Sequence, residues 1–323
     1  MSVGDNRHAV GVIGLGNMGG SMARALVTAG LDVMVFDLRD DLMAEFVSEG
    51  AAAASSVADL AGRCDIVSLV VVNDAQVDSV GDQVVAAAAP GTTLIVHSTV
   101  LPSTVVALSE RAAVRGVGVF DAAVSGGPEK GVQGALTLMV GGDDALVDKC
   151  RPVLDAVGAN VHHVGPVGSG SAVKLVNNMM TLGTYALAIE AMQLGAAYGL
   201  SEDAMTQVVT SAQGDSRVMR TWGRMDRIRR ERVQATGGDA THAYMAKDLM
   251  EAAIAGGQRH LVMPMASAAA VALPSKMAER DRGYDPANPG PPIPRCVTCG
   301  QELAAPFRPA GMHPECRGGT APD

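Results

Sequence analysis

Aromatic side chains are scarce in this chain: one Trp, four Tyr and four Phe amount to 3% of 323 residues, so few rings are available to outline a pocket. Positive charge is also in deficit. A formal net charge of −9 gives no general affinity for nucleic acid. Long apolar runs are missing too: hydrophobic residues make up 48% of the chain, but they are mostly Ala and Val broken by polar positions. No stretch approaches the roughly 18 consecutive apolar residues of a membrane span. The first residues, Met1 to His8, are too polar for a secretory signal, which makes the cytoplasm the expected location. Cysteine is sparse through most of the chain, where Cys64 and Cys150 read as buried small apolar residues. The other three, Cys296, Cys299 and Cys316, crowd into the last 28 residues; without an export signal, crowding argues for metal before disulfide.

What is present is a repeated strand-then-helix pattern. Short Val/Ile/Leu runs at Ala9 to Ile13, Val33 to Phe36, Ile66 to Val72, Leu94 to Val96, Val117 to Phe120 and Leu136 to Val140 alternate with Ala-rich helical stretches. That pattern predicts an α/β, doubly wound, mainly parallel sheet over residues 8–165. From Ser169 to about Tyr198 there is no proline and apolar residues point in nearly every direction, which predicts a long helix buried on all sides, on the order of 45 Å. Further helical candidates at Ala204 to Ser211, Asp239 to Ala255 and Met263 to Ala272 make residues 166–282 an all-helical second domain for substrate and dimerisation. A proline-rich linker from Gly283 to Pro294 then leads into a small module, and together they fill 283–323.

Three segments carry chemistry. Gly14, Gly16 and Gly19 follow the first strand and open a helix, where they serve a tight turn, close approach of backbone to a pyrophosphate, and close packing of helix on strand. Asp37 ends the second strand 23 residues after Gly14, where a carboxylate accepts bonds from both ribose hydroxyls of NAD and repels a 2′-phosphate; Arg39 beside it leaves NADP possible. Ser125, Gly126 and Gly127 lie past the carboxyl end of a predicted strand, and bare N–H groups with one hydroxyl suit a small carboxylate. Lys174 stands one helical turn before Asn178 after a glycine-rich turn, and a buried amine beside a carboxamide can handle a proton.

Gly14 to Ala23, Asp121 to Gly142, Gly168 to Asn178 and Lys247-Asp248-Leu249, with His97-Ser98-Thr99, Pro102 and Glu190 to Gly195, resemble in order and spacing the motifs of the β-hydroxyacid dehydrogenase family, the group of 3-hydroxyisobutyrate dehydrogenase and tartronate semialdehyde reductase. The resemblance spans residues 9 to about 257 and implies a Rossmann-type domain joined to a helical one. It implies that Ser125, Gly126 and Gly127 hold a substrate carboxylate, that Lys174 is the general acid/base and that Asn178 orients the substrate. Lys247 and Thr99 would sit near the nicotinamide, and the cofactor set reads Gly14, Gly16, Asn17, Met18, Gly19, Asp37, Arg39, Asn73, Thr99 and Lys247. Hydride would leave the alcohol carbon as a neutral Lys174 accepts the hydroxyl proton, which calls for a lysine pKa lowered by burial and by the cationic nicotinamide. Relatives that decarboxylate 6-phosphogluconate carry histidine where this chain has Asn177, and imine-reducing relatives replace the lysine; neither pattern is found here. The family's closing glycine-rich turn with an aspartate dissolves here into Pro274 to Arg282, with Gly283-Tyr284-Asp285 at most a remnant.

Two features lie outside that pattern. Between Arg217 and Val233 seven arginines face only Asp226 and Glu231, as a solvated helix face or as a surface for an anionic substrate or partner subunit. Cys296-Val-Thr-Cys299 and His313-Pro-Glu-Cys316, separated by thirteen residues, supply three thiolates and an imidazole, a closed tetrahedral set for one structural zinc. The leading expectation is an NAD-dependent dehydrogenase, a homodimer or homotetramer, that interconverts a small β-hydroxy carboxylate and its semialdehyde. The alternatives are an NADPH-dependent reductase of a small 2-oxo acid or semialdehyde, in which Arg39 reads the 2′-phosphate, and a non-catalytic NAD-responsive regulator.

Overall fold

A computed structural model describes residues 10–228 and 240–282, and the chain divides into two compact units after Val176. In the first unit, β1 (Val10–Ile13), β2 (Val33–Phe36), β3 (Ala52–Ala53), β4 (Ile66–Leu69), β5 (Thr93–Val96), β6 (Gly118–Ser125), β7 (Leu136–Gly141) and β8 (Gly158–Gly165) form one sheet in the order β3-β2-β1-β4-β5-β6-β7-β8. All neighbours are parallel except β6 and β7. The central strands β1, β4 and β5 are buried at every position, which explains their mainly apolar sequence, with Ser68 and Thr93 the polar members: a strand covered on both faces has no polar side to show.

The covers are α1 (Asn17–Thr28), α2 (Asp40–Ser48), α3 (Val57–Arg63), α4 (Asp74–Ala87), α5 (Pro102–Ala113), α6 (Pro128–Val132), α7 (Asp144–Lys149) and α8 (Arg151–Val157). Met22, Leu26, Phe46, Val147 and Leu154 bring α1, α2, α7 and α8 onto one buried cluster. Leu60, Val77, Val84, Val105 and Leu108 bring α3, α4 and α5 onto the other. Ser56, Asn73 and Asp143 cap α3, α4 and α7 with their side-chain oxygens, as the local sequence calls for.

The helix α9 (Ser169–Ala197) begins in the first unit and continues into the second, which holds α10 (Glu202–Ser211), α11 (Arg217–Arg220), α12 (Ala240–Gln258) and α13 (Pro264–Arg282). Its core gathers Leu182, Tyr185, Ile189, Met192, Trp222, Leu249, Leu273 and Met277. A buried polar network lies beside them: the Tyr185 hydroxyl donates to Asp226 Oδ1 at 2.5 Å, Arg280 Nε to Asp226 Oδ2 at 2.6 Å, and Trp222 Nε1 to Glu202 Oε2 at 2.8 Å. Arg280 also reaches Glu202 at 2.6 Å, with its guanidinium 4.5 Å from the Trp222 ring centroid.

Two expectations change here. α9 is not buried on all sides within one chain, for Met180, Leu187 and Leu194 are 63%, 67% and 63% exposed. The last helix does not stop at Ala272 but runs through Pro274 to Arg282, held by buried Leu273 and Met277 and by Arg280. Among the described residues no helix is long and apolar enough to cross a membrane. The module read at 283–323 lies outside the described residues.

Candidate active site

The turn between β1 and α1 shows three different uses of glycine. Gly14 has φ +90°, a backbone state that a side chain strains. A Cβ at Gly19 would run into the Gly14 carbonyl oxygen, so helix and turn pack with nothing between them. At Gly16 an added Cβ meets nothing within 4 Å, which leaves the helix start open to approach from outside. Gly16 is also the N-cap residue, α1 has no side-chain cap and no acidic residue in its first turn, and Gly16 and Asn17 are exposed while Met18 is half-buried. Such a helix end suits an anion, because its first N–H groups lie beyond the intrahelical ladder and the dipole favours negative charge there.

The other first-unit candidates stand along the same carboxyl edge of the sheet. Asp37 follows β2 and its carboxylate is already oriented: Oδ2 accepts the Leu15 N–H of the glycine turn at 2.7 Å, and Oδ1 accepts the Arg39 N–H at 3.0 Å. The Arg39 side chain turns to Asp41, with which it forms an ion pair. Asn73 follows β4 and caps α4, its Oδ1 accepting the Gln76 N–H at 3.0 Å. Thr99 follows β5 and is half-buried. His97, two residues earlier, is structural. Burial pushes its pKa down to about 4; its Nδ1 lies 2.7 Å from the Ala122 carbonyl, which can only accept, so the neutral ring carries its proton on Nδ1.

Ser125 ends β6, and Gly126 (φ +144°) and Gly127 (φ +81°) turn the chain into α6. All three are half-buried, and a Cβ at Gly127 would meet nothing within 4 Å. Four residues back on the same strand lies Asp121, fully buried, which in the sequence is no more than the start of the Asp121 to Gly142 motif. Its oxygens accept the Gly168 N–H at 2.6 Å and the Ser171 N–H at 2.5 Å, both at the start of α9. Burial pushes this carboxyl up, and the two peptide N–H groups oppose that rise. A carboxylate in the apolar run Val117 to Val124 was the available signal. Lys174 follows in α9, half-buried, less than one turn after Ser171.

In the second unit, Asn178 is 8% exposed and donates from Nδ2 to Asp248 Oδ2 at 2.8 Å, while its Oδ1 accepts from Asn177 Nδ2 at 3.2 Å. Lys247 Nζ lies 3.1 Å from Asp248 Oδ1 and 2.9 Å from Glu251 Oε1. Burial acts to lower the Lys247 pKa, yet the two carboxylates outweigh it and hold the ammonium above the usual lysine range. Lys247 is therefore a fixed cation rather than a proton carrier near neutral pH. In sequence Asp248 and Glu251 do not stand out as partners of Lys247, because an i, i+1, i+4 cluster on a helix resembles any solvated ion-pair set until burial is known. Cys296, Cys299, His313 and Cys316 lie outside the described residues; among those described, no group of three or more His, Cys, Asp or Glu could hold a metal.

The glycine turn after β1, Asp37 after β2 and the Ser125 to Gly127 turn after β6 share one sheet edge, in the strand order 3-2-1-4-5-6 that places ligands at the carboxyl ends. Fold and glycine turn define an α/β protein of the dinucleotide-binding class. Comparison with known proteins refines this class. Residues 9–165 match the model of the NAD-binding domain of 6-phosphogluconate dehydrogenase, and residues 168–287 match the model described as NAD-binding of NADP-dependent 3-hydroxyisobutyrate dehydrogenase. The chain is 34% identical to 2-(hydroxymethyl)glutarate dehydrogenase of Eubacterium barkeri, over 80% of this chain and 86% of that protein. It is also 34% identical to NAD-dependent L-serine dehydrogenase of Pseudomonas aeruginosa, over 84% and 94%. The crystal structure of 3-hydroxyisobutyrate dehydrogenase from Salmonella typhimurium is similar, with a TM-score of 0.70 and 33% identity over 86% of this chain and 95% of that one. The chain belongs to the β-hydroxyacid dehydrogenase family, enzymes that act on the CH–OH group of small β-hydroxy acids with NAD(P). The non-catalytic regulator is thereby set aside.

Proposed function

We propose that this chain oxidises a small β-hydroxy carboxylate to its semialdehyde with NAD, using Lys174 as general acid/base. The observation that carries the reading is the shared sheet edge described above, with an open helix start at Gly16 at one strand and the Ser125 to Gly127 turn at another. The named substrates of the relatives support the substrate class. Serine, 2-(hydroxymethyl)glutarate and 3-hydroxyisobutyrate share a hydroxymethyl group on the carbon that bears a carboxylate, and differ only in the third substituent. A site for such molecules recognises the carboxylate and the alcohol and leaves the third group to set specificity.

When bound, the dinucleotide supplies the hydride acceptor. Gly14, Gly16, Asn17, Met18 and Gly19 hold its pyrophosphate, Asp37 the ribose diol, and Asn73, Thr99 and Lys247 the nicotinamide end. Ser125, Gly126 and Gly127 bind the substrate carboxylate, and Asn178, whose amide is fixed by Asp248, orients the alcohol. Lys174 Nζ takes the hydroxyl proton during oxidation and returns it in the reverse direction. Lys247, held charged by its carboxylates, contributes field and not a proton. NAD is favoured over NADP because Asp37 is oriented by two N–H groups, while Arg39 is engaged by Asp41. The test is Lys174→Ala: turnover falls by about 10²–10⁴-fold while NAD affinity is kept, and a near-normal rate overturns the assignment.

Self-association and zinc belong to this reading as well. The exposed row Met180, Leu187 and Leu194 on α9 supports pairing with a second copy, as a homodimer or a tetramer built from dimers. Cys296, Cys299, His313 and Cys316 are the proposed ligands of one structural zinc, on the strength of their donor types and spacing alone.

A further inference from the structure

We propose that Asp121 is the positioning residue of the proton-transfer lysine: its carboxylate seats the first turn of α9 on β6, and so sets where Lys174 stands relative to the Ser125 to Gly127 turn. This rests on the reading of Lys174 as the acid/base.

A carboxylate in the middle of a buried strand is costly unless its oxygens are satisfied. Asp121 is 0% exposed, and the partners named above are peptide N–H groups 47 and 50 residues away along the chain. Both belong to the start of α9, where the first N–H groups of a helix have no intrahelical acceptor. Gly168, with φ +89°, has no side chain with which to cap the helix, so the strand supplies the cap instead.

Two glycines make the close seat possible. A Cβ at Gly170 would collide with the Met139 carbonyl oxygen and stand 2.9 Å from Asp121 Oδ2. A Cβ at Gly141 would stand 2.6 Å from the Gly170 nitrogen. Helix start and strands therefore meet backbone to backbone, with the carboxylate as the bond between them. Lys174 comes three residues after Ser171, within the same stretch of helix. Ser125 comes four residues after Asp121, on the same face of β6, because side chains alternate along a strand. One anchor thus ties the proton carrier to the substrate turn, and an error of about 1 Å in such a placement can cost about 10²-fold in rate.

Asp121→Asn leaves one acceptor oxygen and sets an amide against the other peptide N–H. The expected result is a fall in kcat of about 10–100-fold with NAD affinity unchanged, since the glycine turn and Asp37 belong to β1 and β2. The decisive readout is the cycle with Lys174→Ala: in that background the Asp121→Asn effect vanishes, because nothing is left to place. An equal fall in both backgrounds, a normal kcat, or NAD affinity lost in step with kcat overturns the proposal. Should Asp121→Asn fail to fold, Gly170→Ala is read in the same cycle, with the same outcomes; its methyl lifts the first turn from the seat while the carboxylate stays. A normal Asp121→Asn beside an inactive Lys174→Ala sinks this proposal alone, whereas an active Lys174→Ala sinks the lysine reading and this one with it.

Discussion

The Asp37 carboxylate makes two hydrogen bonds before any ligand arrives, one to the Leu15 N–H in the glycine turn and one to the Arg39 N–H. Those bonds fix its direction and leave a further lone pair on each oxygen for a ribose hydroxyl. Asp37→Ala is expected to weaken NAD by about 1–3 kcal/mol and to narrow the preference for NAD over NADP. Titration of both dinucleotides checks this, with the ratio as the informative quantity, because the substitution also loosens the turn for either cofactor. Equal affinities in the unaltered protein would retire the idea and return attention to Arg39. The tight packing of the glycine turn was legible from spacing, since Gly19 packs on the Gly14 carbonyl only five residues back along the chain. The anchor role of Asp121 was not, because its partners lie 47 and 50 positions away.

Among the elements, α9 departs furthest from its sequence reading. Apolar residues all around a helix predict burial all around, yet among the described residues Met180, Leu187 and Leu194, recurring every seventh residue, stand exposed along one line. Leu187→Glu is expected to shift the protein toward monomer, raising the dissociation constant at least about tenfold, since each lost Leu contact is worth about 1.5–3 kcal/mol. Sedimentation across a concentration series reads this out, and an unchanged assembly would place the interface elsewhere. Two other elements differ from the sequence expectation for opposite reasons, β8 in its existence and α13 in its length. β8 is exposed at five of its eight positions and carries His162 and His163, so it has no apolar run to find. α13 contains Pro274, which argues for a stop, but buried Leu273 and Met277 and the Arg280 bonds to Asp226 and Glu202 keep the helix going.

At the scale of the whole molecule, the segment after Arg282 gives the remaining prediction. Protein purified without added zinc is expected to carry one metal per chain, and chelation should release it without loss of NAD binding, because the proposed ligands lie beyond a proline-rich linker. Metal analysis showing none would end the zinc proposal. A chain stopped after Arg282 that binds NAD but has lost activity would assign the segment to enclosure of the substrate. The sequence by itself determined the alternation of strands and helices, the dinucleotide turn, the lysine motif and the family. Each of these is written in local periodicity and in the spacing of residues close along the chain. Only the tertiary structure decided that Asp121 binds the start of α9, that Lys247 stays charged between two carboxylates, that His97 is neutral, and that one line of α9 is left bare. Those outcomes depend on which distant groups meet and how much water is excluded where they do, and neither quantity is a property of any short stretch of chain.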